Sequence, residues 1–275
     1  MREIIPQDYE LLNEEQIEAL TGMIDSVPDE DREKILRLLR VDKTARAQRS
    51  FLYFVTQMWP VFISGKHHAI MADAFERVAR GELKRLIINM PPRHTKSEFA
   101  SYLLPAWFLG LFPEKKIIQT AHTAELAVGF GRKVRNLVSS NAYQDIFEAN
   151  LSTDSKAAGR WNTDKGGDYF AIGVGGAVTG KGADLLIIDD PHSEQEAKQG
   201  NPAVFDSVYE WYTSGPRQRL QPGGSIIIVM TRWSKRDLTG QILKNSLKDG
   251  VNRSEEHTSE LQSHLNLVCR LLLEK

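Results

Sequence analysis

The sequence predicts a three-layer α/β fold, with a mostly parallel sheet between helices and a helical element ahead of it. Three observations predict it. Five short runs are almost continuously apolar, the pattern of strands buried on both faces: RLIIN (85–89), KIIQT (116–120), YFAIGV (169–174), LLII (185–188) and SIIIVM (225–230). Stretches of helical period separate them. Three of the runs end in polar residues, and the ligand site of an open α/β sheet lies beyond the carboxyl ends of its strands.

Leu11, Leu12, Ile17, Leu20 and Ile24 recur at helical spacing, as do Ile35, Leu38 and Leu39, with Val27-Pro28-Asp29 between the two stretches. Residues 1–49 therefore read as a helical N-terminal element. Residues 50–252 carry the alternating strands and helices, and 253–275 form a tail of different texture.

Length and composition bound the class. The 275 residues hold one good-sized core; 41% are hydrophobic and 26% charged, as in ordinary globular proteins. A formal net charge of -1 excludes a uniformly basic nucleic-acid coat but not a local basic channel. No apolar run approaches the about 20 residues that span a bilayer, and MREIIPQDYE has no charged-then-apolar leader. One cysteine, Cys269, has no internal disulfide partner, so a cytoplasmic location is expected.

The chemistry concentrates at three strand ends. After RLIIN comes Met90-Pro91-Pro92-Arg93-His94-Thr95-Lys96-Ser97, then a helix pattern from Glu98 to Leu109. Strand, loop, Lys-Ser, helix is the layout of a phosphate-binding loop. Backbone N–H groups and a helix N-terminus face the phosphates, the lysine reaches the outer ones, and the hydroxyl holds Mg²⁺. Arg93 adds a guanidinium suited to phosphate. The loop departs from the glycine-rich form at Met90 and Thr95; read alone, it is equally a charged turn. LLII runs into Asp189-Asp190-Pro191-His192. One carboxylate there suits Mg²⁺ and the other suits the attacking water, whereas two adjacent acids without a ligand repel; read alone, the pair is equally a solvated turn. SIIIVM leads into Thr231-Arg232-Trp233, which says little alone and counts as the third polar strand tip in order. In ATPases of the additional-strand type a polar residue at this tip senses the γ-phosphate, a role Thr231 could take, and Arg232 could contact phosphate or a neighbouring subunit.

Across 51–243 the chain resembles the large terminase subunit of tailed phages, the ATPase that packages DNA into procapsids. The resemblance is carried by GELKRLIINMPPRHTKS, GGDYFAIGVGGAVTGKGADLLIIDDP and IIIVMTRWSKRDLTGQIL. It implies a P-loop NTPase of the RecA-like, additional-strand type, with ATP and Mg²⁺ as cofactors. Arg93, His94, Thr95, Lys96 and Ser97 would form a deviant Walker A loop. Asp189 would be the Walker B magnesium carboxylate, sharing the ion with Ser97. Asp190 would stand in for the usual catalytic glutamate, and Thr231 and Arg232 would form the coupling motif. Thr95 replaces the glycine before the lysine, and its Cβ would restrict the backbone and lower ATP affinity or turnover. At the adenine end, where relatives often use glutamine, the region 62–74 offers His67 and His68, with His68 favoured.

The segment 175–182 reads as a loop opposite the phosphates, with Lys181 touching DNA or nucleotide, or as a plain crossover. The resemblance also implies double-stranded DNA, a portal protein and a small terminase subunit as partners. It implies a homo-oligomeric ring on the portal, assembled in the bacterial cytoplasm without a membrane; Arg132 and Arg135 are candidates for an arginine acting across subunits. Residues 253–264, RSEEHTSELQSH, resemble a translated sequencing adapter, and the alternative is an amphipathic helix using Leu261, Leu265, Val268 and Leu272. On that reading the chain stops before the family's RNase H-like nuclease, and no nuclease activity is expected. Two rival functions are a superfamily 2 helicase-like ATPase and a nucleotide- or DNA-binding fragment without turnover.

Overall fold

The computed structural model describes residues 5–6, 8–154, 157–199, 201–248, 254–257 and 268–272. Two helices open the chain, α1 (Glu14–Met23) and α2 (Asp29–Arg49). Asn13 caps α1: its side chain accepts the Gln16 N–H while the Gln16 side chain accepts the Asn13 N–H, so two donors without intrahelical partners are satisfied. Pro28 precedes α2, in keeping with the expected break. The last turns of α2 are buried. Ala45 and Ala47 are fully covered, and the Trp107 indole donates to the Ala47 carbonyl at 2.8 Å. The N-terminal helices therefore share a core with the α/β layers.

Helices α3 (Phe51–Met58) and α4 (Lys66–Ala79) lead into β1 (Arg85–Asn89). The helix after β1 opens as a π-helical segment, Glu98–Leu103, and continues as α5 (Leu104–Leu111). Pro105 explains the widened turn. Proline has no N–H to donate and its ring crowds the carbonyl four residues back. The Leu104 N–H accordingly reaches the carbonyl of Phe99, five residues back.

Then come β2 (Lys116–Ala121), α6 (Ala124–Val138), the short α7 (Asn141–Gln144), β3 (Arg160–Asn162), β4 (Asp168–Gly173) and β5 (Ala183–Asp189). After these lie α8 (Glu194–Gln199), α9 (Pro202–Ser214), β6 (Leu220–Met230) and α10 (Leu238–Lys248). The five expected strands are β1, β2, β4, β5 and β6; β3 lacked a recognisable run because only three residues pair.

The sheet order is β3-β4-β2-β5-β6-β1, extended past β1 by β8 (Val268–Leu272) and β7 (Ser254–His257). From β4 to β1 every pairing is parallel; β3 and β8 join their neighbours antiparallel. Residues 268–272 thus form a strand where the alternative reading of the tail had a helix; Arg253, Leu261 and Leu265 lie outside the described residues.

Strand side chains alternate between two cores. Leu86, Ile88, Leu185, Ile187, Ile227 and Val229 face α3 to α6, and Ile87, Leu186, Ile188, Ile226 and Ile228 face α9 and α10. This is the expected three-layer architecture. One topological detail decides the subtype of the fold. β6 lies between β1, which carries the Lys-Ser loop, and β5, which carries the paired aspartates. That is the additional-strand, RecA-like arrangement.

No helix among the described residues is long and apolar enough to cross a membrane.

Candidate functional site

The loop after β1, the aspartates after β5 and the threonine after β6 meet at the carboxyl edge of the sheet. Parallel pairing in register makes them meet: Asn89 aligns with Met230, and Asp189 with Val229. The three strand tips therefore end side by side.

Asp189 is 3% exposed and accepts two hydroxyl hydrogen bonds, from Ser97 at 2.9 Å and from Ser101 at 2.6 Å. Ser97 and Ser101 are four residues apart and lie on one face of the helix behind the loop. Ser101 in turn accepts from the buried Gln119 amide at 3.0 Å, which extends the network into β2. Burial pushes the Asp189 carboxyl up to about 7; the Asp190 charge adds to the rise, and the two serines and Lys96 oppose it.

Asp190 faces the other way. Its carboxylate meets the Lys96 ammonium at 2.7 Å and accepts the Thr231 N–H at 2.7 Å. The Lys96 side chain is 6% exposed and that of Asp190 38% exposed, so the pair sits at the mouth of the site. Thr231 Oγ1 donates to the Met90 carbonyl at 3.2 Å, which ties the tip of β6 to the start of the loop.

Three non-glycine residues have positive φ among those described, and all are here: Arg93 at 64°, Thr95 at 60° and Asp190 at 38°. Left-handed backbone costs an L-residue roughly 1–2 kcal/mol, more readily borne by aspartate than by a β-branched side chain. Such strain concentrates at functional sites. Of the two positions lacking an expected glycine, only Thr95 takes a glycine-like conformation. Met90 does not; its side chain is buried at 3% exposure, and the second left-handed residue is Arg93.

The remaining candidates fall in different places. Arg93 is exposed on the loop, and the His94 ring packs back on it, with Nδ1 2.8 Å from the Pro92 carbonyl. His68 is buried, with both ring nitrogens engaged: Nε2 with Thr95 Oγ1 at 2.6 Å and Nδ1 with the Gly65 N–H at 2.9 Å. Neither nitrogen is left for adenine in this conformation, whereas His67 is only partly buried beside it.

Arg232 turns away from the aspartates. Its guanidinium binds the fully buried Asp237 at 2.9 Å and the Ser234 carbonyl at 3.1 Å. Asp237 also accepts the N–H groups of Trp233, Ser234 and Gly240, which fixes the start of α10.

Lys181 pairs with Asp168 at 2.6 Å. Asp168 begins β4, so this pair lies at the amino edge of the sheet, opposite the Lys96-Ser97 loop. The expectation that Lys181 touches nucleotide in its own site is corrected: the segment after β4 descends across the sheet to reach the start of β5, and carries Lys181 down with it. Arg132 and Arg135 lie in the second half of α6, whose first turn is the one near the carboxyl edge.

Ser101 and Gln119 escaped sequence reasoning. A serine four residues after Ser97 and a glutamine inside an apolar strand were the available signals.

No family model matches the chain. No curated protein matches it either. Among solved structures it is similar to the crystal structure of the HK97 bacteriophage large terminase, at 14% identity and a TM-score of 0.48, over 79% of this chain and 46% of that one. The chain thus spans less than half the length of that protein.

Proposed function

We propose that this chain is the ATP-hydrolysing motor domain of a viral DNA-packaging terminase, driving double-stranded DNA into procapsids. One observation carries the reading: Lys96, Ser97, Asp189, Asp190 and Thr231 converge at adjacent strand tips of an additional-strand sheet. The bound nucleotide is ATP with Mg²⁺.

The residues fit the ion. A hydroxyl and a carboxylate 2.9 Å apart form a hard-oxygen pair, and Mg²⁺ is commonly held by one or two carboxylates together with substrate phosphates and waters. When bound, the ion neutralises the charge that spreads over the transferring phosphoryl group. Ser97 and Asp189 would hold that ion in place of their mutual hydrogen bond, with Ser101 keeping the Asp189 carboxylate oriented.

Lys96 leaves Asp190 to reach the outer phosphates, which frees the Asp190 carboxylate. Asp190, steadied by the Thr231 N–H, orients the attacking water and accepts its proton as the γ-phosphorus separates from the bridging oxygen. Products are ADP and orthophosphate. Through its bonds to Asp190 and Met90, Thr231 registers occupancy of the site and passes it to β6. Arg93 and His94 line the loop as further phosphate contacts.

Contacts to DNA are chiefly to phosphates and weaken with salt. Portal protein, a small terminase subunit and further copies in a ring complete the machine, in the cytoplasm of a bacterial host.

The test is phosphate release by the purified chain with and without double-stranded DNA, beside Lys96→Ala and Asp189→Ala. DNA-stimulated release lost in both variants is expected. Nucleotide binding without release would reduce the chain to a binding module, and ATP-driven strand separation would favour a helicase.

A further inference from the structure

Thr95 poses a problem that the loop itself does not solve. At φ 60° a β-branched residue is crowded by its own Cβ, and glycine is the ordinary occupant. Its hydroxyl, however, is tied on both sides. It donates to the His94 carbonyl at 2.6 Å and lies 2.6 Å from His68 Nε2.

The direction of the second bond is set by the far side of the ring. His68 Nδ1 faces the Gly65 backbone N–H at 2.9 Å, and an N–H only donates. Nδ1 therefore accepts, and in a neutral imidazole the proton sits on Nε2, directed at Thr95. Burial keeps the ring neutral, pushing its pKa down to about 4, with His67 and His94 adding to the fall. The ring is also fixed in space. It stacks on Phe99 with centroids 4.9 Å apart, and Phe62 meets it edge-on at 4.7 Å. Phe99 lies in the helix after the loop, so one imidazole joins the start of α4, the loop and that helix.

We propose that His68 is a positioning residue of the phosphate loop: it locks Thr95 in the left-handed conformation and so sets the direction of Lys96 and Ser97. The proposal rests on the functional reading of this loop. It replaces an adenine contact with a strut. Rotation of Thr95 out of the left-handed region would swing the Lys96 N–H and the first helical turn away from the phosphates. The threonine then serves as the receiving half of a lock that glycine, having no hydroxyl, does not offer.

The test uses a fluorescent N-methylanthraniloyl ATP titrated onto the purified chain. His68→Phe keeps an aromatic ring against Phe99 and removes the N–H. Thr95→Val keeps the β-branch and removes the hydroxyl, and Thr95→Ser keeps the hydroxyl. Loss of one hydrogen bond predicts about five- to tenfold weaker binding in His68→Phe and in Thr95→Val. The double variant should be no weaker than either single, with Thr95→Ser near wild type. ¹⁵N spectra of the nucleotide-free protein should show His68 as the Nε2–H tautomer at pH 7.

Multiplicative losses in the double variant, wild-type binding in both singles, or the Nδ1–H tautomer would overturn the proposal. The same cycle monitored by thermal melting needs no nucleotide. Coupling there supports the strut even if wild type binds no ATP analogue, in which case the functional reading alone has failed.

Discussion

The Lys96 ammonium and the Asp190 carboxylate lie 2.7 Å apart, so the lysine that would meet the outer phosphates is held by the carboxylate that would activate water. On the proposed reading, each would occupy the other until nucleotide entered. Asp190→Asn removes the charge that holds Lys96 and the base that would take the proton. Phosphate release should fall at least about a hundredfold, in the range of lost general-base catalysis, while ATP binding stays equal or tightens. Parallel turnover and equilibrium-binding measurements check this; loss of binding in step with turnover would contradict it.

Asp189 makes stability depend on pH. Its folded pKa is near 7, well above the roughly 3.9 of an unfolded aspartate. Between those values the folded chain holds a proton that the unfolded chain has lost, so stability falls as pH rises. The contribution is fully present below pH of about 4 and gone above about 7. Asp189→Asn should flatten this slope and raise the melting temperature at pH 8 in metal-free buffer. An unchanged melting temperature at pH 8 would place the carboxyl back in the ordinary range.

Ser101→Ala takes one of the two hydroxyl donors from Asp189 and a partner from the Gln119 amide. A buried polar group left short of its bonds costs about 1–3 kcal/mol. At this chain length that is a fall of roughly 2–4 °C in melting temperature per kcal/mol. The Asp189 pKa should rise further, since the lost bond favoured the charged form. Calorimetry at pH 6 and pH 8 reads both effects.

Asp237 is fully buried and holds Arg232 together with three backbone N–H groups. Asp237→Ala should destabilise the protein by roughly 1–3 kcal/mol, since it leaves backbone N–H groups at the start of α10 without their acceptor. Arg232→Ala, in a side chain 38% exposed, should cost less stability. If Arg232 also reaches phosphate, its variant loses turnover out of proportion to its melting temperature. Denaturant unfolding beside phosphate release separates the two roles.

Much of the fold was legible in the chain. Five apolar runs became five strands: β1, β2, β5 and β6 are buried on both faces along their apolar runs, and β4 alternates buried with partly buried apolar residues, so both faces stay apolar. The Lys96-Ser97 and Asp189-Asp190 pairs stood out because charged and hydroxyl groups directly after such runs need a reason to be there. His68, Ser101 and Gln119 were harder. Each is one polar residue in an apolar or helical pattern, and its partner is 18 to 88 residues away in sequence. Arg232 was read toward phosphate because its neighbour in sequence is Thr231; in space its nearest acid is Asp237.

The sequence by itself determined the sheet, its two-faced core and the order of the polar strand tips, because burial pattern and turn chemistry are local properties. Only the tertiary structure decided how those tips pair. Parallel register with β6 between β1 and β5 put Lys96 on Asp190 and Ser97 on Asp189, while the start of α4 brought His68 to the strained Thr95. Hydrogen bonds and ion pairs act over a few ångströms, so their partners are fixed by where the chain returns and not by what stands beside them in sequence.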